Sequence, residues 1–263
     1  VLAPWRAEVI ERASQEILDN PVLYEEFVVD VMQGGAGTST NMNVNEVIAN
    51  VALELSGKER GDYTVLHPND HVNMMQSTND SYPTGLRVAA LLSLDPLLVA
   101  LTDLAKSLQA KSAEFRDVLK LGRTQLRDAV PMTLGQEFGA FSTTVLSEIA
   151  NLKNVSGQLL SINLGGTAIG TGITAHPEFR QLATQELNQL TGYEFERAPD
   201  LVEATSDVGA FVSLSGALKR LALKLSKIAG DLRLLSSGPW AGLGKISLPA
   251  VQAGSSIMPG KVN

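Results

Sequence analysis

The sequence predicts a mainly α protein built as a bundle of long helices, and two observations carry that expectation. Apolar residues recur at alternating spacings of three and four over long stretches, which lays a continuous apolar seam along one helix face. Alternating β-branched runs are few, so little sheet is expected. At 263 residues and 44% hydrophobic, the chain is long enough to bury a substantial core in one large domain or two modest ones.

Three seams define the helices. The first runs through Leu94, Leu97, Leu101, Leu104 and Leu108, with Pro96 placed to start or kink a helix. The second follows Phe138, Phe141, Val145, Ile149, Leu152, Val155 and Leu159. The third joins Phe211, Leu214, Leu218, Leu221, Leu225, Ile228, Leu232 and Leu235 before Gly238-Pro239 stops it. Helices of about 25 to 30 residues are long for one globular domain and common where subunits share a bundle, so oligomerisation is expected. Leu-rich stripes of this kind serve cores and interfaces, and no catalytic role is assigned to them.

Composition removes several classes of function. A net charge of −7 argues against nucleic acid or an anionic membrane as partner, while leaving room for a local basic pocket. The absence of cysteine excludes disulfides, Cys-ligated zinc and thiol catalysis. The longest apolar stretch, Val88 to Leu101, is broken by Asp95-Pro96 and falls short of a membrane span. The chain opens at Val1 without a signal-peptide pattern and stops inside an informative loop, so a fragment of a longer protein is expected.

Polar, Gly-rich segments lie between the helices. Gly34 to Asn43 precedes a helical stretch from Val44 to Leu55; glycines and small hydroxyls ahead of a helix suit anion capture by backbone N–H groups, or simply a capped turn. A phosphate loop of the Walker type is ruled out, because Gly244-Lys245 is followed by Ile246 and lacks the upstream glycine. In the segment from His67 to Gly85, His67 and His71 stand four apart, but Pro68-Asn69 disfavours a continuous helix and no third metal ligand is evident. Ser77-Thr78-Asn79 presents three short hydrogen-bonding side chains, suited to a carboxylate or amine, or to capping a helix that begins near Thr84. In Gly122 to Gln136, Arg123 suits a carboxylate or a structural ion pair, and Thr124-Gln125 a polar substrate group. Finally, Gly254-Ser-Ser-Ile-Met-Pro-Gly-Lys-Val-Asn263 places two hydroxyls, a lysine and an asparagine in one loop punctuated by glycines and Pro259.

These strings resemble, in order, the active-site regions of the fumarase/aspartase superfamily: Gly-Ala-Gly-Thr-Ser-Thr-Asn-Met-Asn, Ser-Thr-Asn-Asp, Gly-Arg-Thr-Gln and Gly-Ser-Ser-Ile-Met-Pro-Gly-Lys-Val-Asn. The likeness extends over essentially the whole chain. Gln125, where fumarases usually carry His, together with Glu203 to Gly209, Gln252 to Ser256 and Asn163 to Gly170, is similar to the aspartase branch. The resemblance implies a long-helix bundle in a homotetramer whose active sites each draw on three subunits. It implies residues 1–77 as part of a mainly helical N-terminal domain and residues 78–263 as an incomplete central bundle ending in the loop 254–263.

It also implies a chemistry: reversible loss of ammonia from L-aspartate to give fumarate through an aci-carboxylate, in the cytoplasm. Hydration of fumarate, a lyase for another amino acid, or a non-catalytic helical scaffold are the alternatives. Ser255 takes the base position. Thr38, Ser77, Thr78 and Ser256 are the expected donors to the carboxylate that accumulates charge. Lys261 and Asn263 are expected to hold the α-carboxylate, and Asn79, Thr124 and Gln125 the leaving amine. A serine hydroxyl is a poor base at neutral pH, so backbone N–H groups or a cation must lower its pKa. No cofactor is needed for this chemistry, and a divalent cation such as Mg²⁺ enters only as an activator. His67, Asn69 and Asp70 resemble a second anion site of the fumarase branch, with a structural turn as the competing reading. Two departures fall on the approach to the last loop: Trp240 stands where relatives carry Arg, and Lys245 where they carry Glu.

Overall fold

The computed structural model describes residues 2–33, 35–238 and 240–262. Helices dominate: α1 (Pro4–Asp19), α2 (Thr38–Leu55), α3 (Thr78–Glu114), α4 (Leu134–Ser156), α5 (Phe179–Thr191), α6 (Leu201–Ser206) and α7 (Gly209–Leu235). Strands are short and paired by twos: β1 (Leu119–Thr124) with β2 (Arg127–Thr133) antiparallel, β3 (Ser161–Ile162) with β4 (Glu196–Arg197) parallel, and β5 (Gln252–Gly254) with β6 (Pro259–Lys261) antiparallel.

The chain forms two compact units, residues 1–93 with 157–210 and residues 94–156 with 211–263. Residue 78, the start of α3, falls within the first of these units. In the first unit, Val9, Ala13 and Ile17 of α1 share a core with Val47, Ala49, Val51, Ala52 and Leu53 of α2 and with Leu66. In the second, α4 packs on the end of α3 through small side chains: Ser142 Oγ donates to the Ala105 carbonyl at 2.9 Å and Ser112 Oγ to that of Gly135 at 2.7 Å. A Cβ at Gly135 would sit 2.8 Å from the Arg116 Cα, so the crossing needs glycine there. Phe115 and Phe138 meet edge to face at 5.4 Å. The third seam forms α7, buried at Leu214, Ala217, Leu221, Ile228 and Leu235. Glu148 of α4 is tied to it, accepting from Arg220 Nε at 2.9 Å and from Lys224.

Several expectations are corrected. Pro96 does not start a helix: α3 runs through both Pro83 and Pro96 for 37 residues, each proline removing one backbone bond from a long ladder. By length and composition α3 is therefore apolar enough to cross a membrane, contrary to the reading of Val88–Leu101. Within the chain it buries Leu91, Leu94, Leu101, Ala105 and Leu108. Leu159 leaves the second seam, lying in a 3-10 turn at Gly157–Leu160 after α4 has ended. Helix α2 begins at Thr38 rather than Val44, and α3 at Thr78 rather than near Thr84.

Candidate active site

The first unit brings the N-terminal turns of α2 and α3 together. Gly37, with φ +86°, enters α2 against the ring of Tyr82, where a Cβ would overlap the ring. That approach sets Thr38, exposed on the first turn of α2, beside the start of α3. Asn41 then bonds across: its Nδ2 donates to Thr78 Oγ1 at 3.0 Å and to Asn73 Oδ1 at 3.2 Å, and its Oδ1 accepts from Ser81 Oγ at 3.1 Å. Asn45 donates to the same Asn73 oxygen at 3.1 Å. Thr38, Ser77, Thr78 and Asn79 thus share one polar corner. Two helix N-termini meet there, and their dipoles favour an anion, although some first-turn N–H groups are already capped: Thr40 by Gln33 Oε1 at 3.2 Å and Asn79 by Ser77 Oγ at 3.1 Å. The asparagines behind the corner and Asp80 have no role in the sequence reading, although Asn41 and Asp80 stand inside the family-like strings.

Asn79 is held from both sides. Its Nδ2 donates to the Ala168 carbonyl at 2.8 Å, and its own carbonyl accepts from Asn163 Nδ2 at 2.9 Å. Asp80 accepts N–H bonds from Ser77, Gly165 and Thr167. Burial pushes the Asp80 carboxyl above the ordinary carboxylate range, and the backbone N–H bonds work against that rise.

His67, Asn69 and Asp70 lie on a π-helical turn, Pro68–Val72. His67 Nδ1 accepts the backbone N–H of Asn69 at 3.1 Å and of Asp70 at 3.3 Å, while the His67 N–H donates to His71 Nδ1 at 2.8 Å. Both Nδ1 atoms are thereby occupied as acceptors within the turn. Asn69 and Asp70 are exposed on it. No group of three or more His, Asp and Glu able to hold a metal ion gathers among the described residues.

The second unit carries the remaining candidates on two hairpins. Thr124 and Gln125 stand at the tip of β1–β2, where Gln125 (φ +49°) and Leu126 (φ +65°) form a turn in the left-handed region without glycine. Backbone strain of this kind concentrates at functional sites. Arg123 lies 3.4 Å from Asp128 on the facing strand, the structural ion pair of its two readings. In the β5–β6 hairpin, Gly254 (φ +70°) turns the chain so closely on Met258 that a Cβ would strike its carbonyl oxygen. The Met258 N–H donates to Ser255 Oγ at 3.2 Å, one of the donors an alkoxide would need. Ser255, Ser256 and Lys261 are exposed on this hairpin, and Asn263 lies outside the described residues. Trp240, 97% exposed, and Lys245 precede it; the Lys245 N–H bonds the Leu235 carbonyl at 2.8 Å, while nothing in the structure explains the aromatic at position 240.

The architecture is the long-helix bundle of the fumarase/aspartase type, with hydroxyl and amide groups gathered at helix starts and hairpin tips. The family model described as Lyase matches residues 1–263, and the chain belongs to that lyase family. It is 63% identical over 241 residues to the aspartate ammonia-lyase of Pseudomonas fluorescens, covering 91% of this chain and 50% of that protein. It superimposes with a TM-score of 0.96 on a fumarate lyase:delta crystallin from Brucella melitensis solved bound to cobalt, at 58% identity, covering 100% of this chain and 57% of that one. For a class II fumarase from Schistosoma mansoni the TM-score is 0.93 at 36% identity, covering 100% and 58%. The chain spans about half the length of the curated relatives it matches.

Proposed function

We propose that this chain carries active-site elements of an aspartate ammonia-lyase, which removes ammonia from L-aspartate to give fumarate. The observation that carries the reading is its identity to the aspartate ammonia-lyase of P. fluorescens over nearly the whole chain. The geometry supports it at separate points. Ser255 takes the proton from Cβ, and the Met258 N–H on its Oγ favours the alkoxide needed for that step. The electron pair passes onto the adjoining carboxylate, whose growing charge meets Thr38, Ser77, Thr78 and Ser256, two helix N-termini lying among them. Collapse forms the carbon–carbon double bond and breaks the bond to nitrogen, which leaves as ammonia toward Asn79, Thr124 and Gln125. Gln125 cannot serve as an acid, so the amine leaves already protonated or with water's help. Lys261 and Asn263 hold the α-carboxylate.

The working unit in this reading is a cytoplasmic homotetramer with each site drawn from three subunits. Exposed apolar residues on the long helices support it: Leu92 and Val99 on α3, Leu146 on α4, and Val212, Leu218 and Leu223 on α7. In this reading Mg²⁺ enters only as an activator, and the steps above are carried by the chain's own residues.

Fumarate absorbance with L-aspartate and, separately, L-malate tests the reading. Product from aspartate alone supports it; product from malate moves the assignment to fumarate hydratase, which the likeness to the S. mansoni fumarase makes the second reading. Ser255→Ala is expected to lower kcat by at least about a hundredfold, and near-normal turnover would remove Ser255 as the base.

A further inference from the structure

Asp80 contributes nothing to the elimination step, yet its residue is 0% exposed at the start of α3. Its Oδ1 accepts the Ser77 N–H at 2.9 Å, and its Oδ2 those of Gly165 at 3.0 Å and Thr167 at 2.8 Å. One carboxylate therefore fastens the loop 163–170 to the turn that carries Ser77, Thr78 and Asn79. Next to Thr167, the Ala168 carbonyl accepts Asn79 Nδ2 at 2.8 Å. A second tie arises from a proline. Pro83 has no N–H, so the Asn79 carbonyl loses its partner in the helical ladder. Asn163 Nδ2 fills that place at 2.9 Å while also donating to Thr205 Oγ1 at 3.1 Å.

These ties decide which end of the Asn79 amide is free. A backbone carbonyl only accepts, so Ala168 must face the amide nitrogen; that fixes the amide's orientation and leaves Oδ1, beside the second N–H, open to a ligand. That oxygen suits an ammonium, which only donates, and is mismatched to a carboxylate, which only accepts. We propose that Asp80 is a positioning residue for amine recognition: by holding the loop 163–170 on the first turn of α3, it fixes the Asn79 amide with its oxygen available to the departing amine. The proposal rests on the ammonia-lyase reading above. Three N–H donors favour the ionised group against the burial that opposes it, and an amide at position 80 would turn an NH₂ against at least one of them.

The test uses Asp80→Asn in the full-length protein, assayed in reverse as amination of fumarate. The KM for ammonium is expected to rise about tenfold to a hundredfold, while that for fumarate changes by less than about twofold. An unchanged ammonium KM, or equal rises for both substrates, overturns the proposal. Should Asp80→Asn not fold, Asn163→Ala keeps the carboxylate and removes the second tie. A rise of roughly threefold to tenfold in the ammonium KM alone supports the proposal, and no rise overturns it. If the unaltered protein forms no fumarate from aspartate, the function above fails, and hydrogen exchange still decides the tie. Lost protection at Ser77, Gly165 and Thr167 in Asp80→Asn sustains it, and unchanged protection overturns it.

Discussion

Glu148→Gln should destabilise the helical core of the second unit by about 2 kcal/mol at neutral pH. The carboxylate is 0% exposed on α4 and accepts a bond from each of two cations on α7, Arg220 Nε at 2.9 Å and Lys224. Glutamine keeps one acceptor and turns an NH₂ toward the other cation, so one charge-assisted bond of about 1.5–3 kcal/mol is lost. The side chains of Arg220 and Lys224 are 49% and 39% exposed, so the released cation turns to water and the loss stays near the low end. Glu148→Leu removes both bonds together with the need to bury a charge, and should lie within about 1 kcal/mol of the parent. Burial alone would raise the Glu148 pKa, but the bonds from Lys224 and Arg220 outweigh it and hold the carboxyl below its ordinary range. The stabilisation is therefore complete above the unfolded-state pKa and fades as pH falls through the lower folded value. Urea unfolding followed by circular dichroism measures it: with a slope of about 2–3 kcal/mol/M, the glutamine midpoint falls by roughly 0.7–1 M at pH 7. A glutamine variant within about 0.5 kcal/mol of the parent, or a gap that widens in acid, would refute the reasoning.

Gly37→Ala combines a left-handed φ with overlap on the Tyr82 ring and should cost about 2–3 kcal/mol, read as a lower thermal midpoint. Burial, then the Arg6 charge, lowers the pKa of His71, whose Nδ1 accepts the His67 N–H. The unfolded chain then takes the proton more readily, so stability should decline as pH drops below about 6.5, and His71→Gln should flatten that decline in urea titrations. Leu126 is 73% exposed at φ +65°, so Leu126→Gly relieves the strain without disturbing the core and should raise the urea midpoint, by about 1 kcal/mol in stability.

The seams from Phe138 and from Phe211 were legible because a helix repeats its buried face every 3.6 residues, and α4 and α7 follow them closely. The starts of α2 and α3 were not. Apart from Met42, the residues from Thr38 to Asn43 are poor helix formers, and they are helical because tertiary partners hold them: Asn43 Nδ2 donates to the Glu26 carbonyl at 3.0 Å and its Oδ1 accepts the Val29 N–H at 3.3 Å. The β1–β2 hairpin was missed because its turn is Gln125-Leu126 rather than Asn-Gly, and propensity gives no hint of a strained pair.

Sequence alone determined the candidate side chains and the class of fold, because short hydroxyl and amide strings and apolar periodicity are local properties. Tertiary structure alone decided what those side chains can do. Asn79 took a fixed amide orientation through Asn163 and Ala168, more than eighty positions away along the chain. His67 and His71 became partners in one turn because each Nδ1 receives a backbone N–H. The reason is physical: a hydrogen-bonding group's chemistry depends on which of its atoms remains free, and that is settled by neighbours the local sequence does not contain.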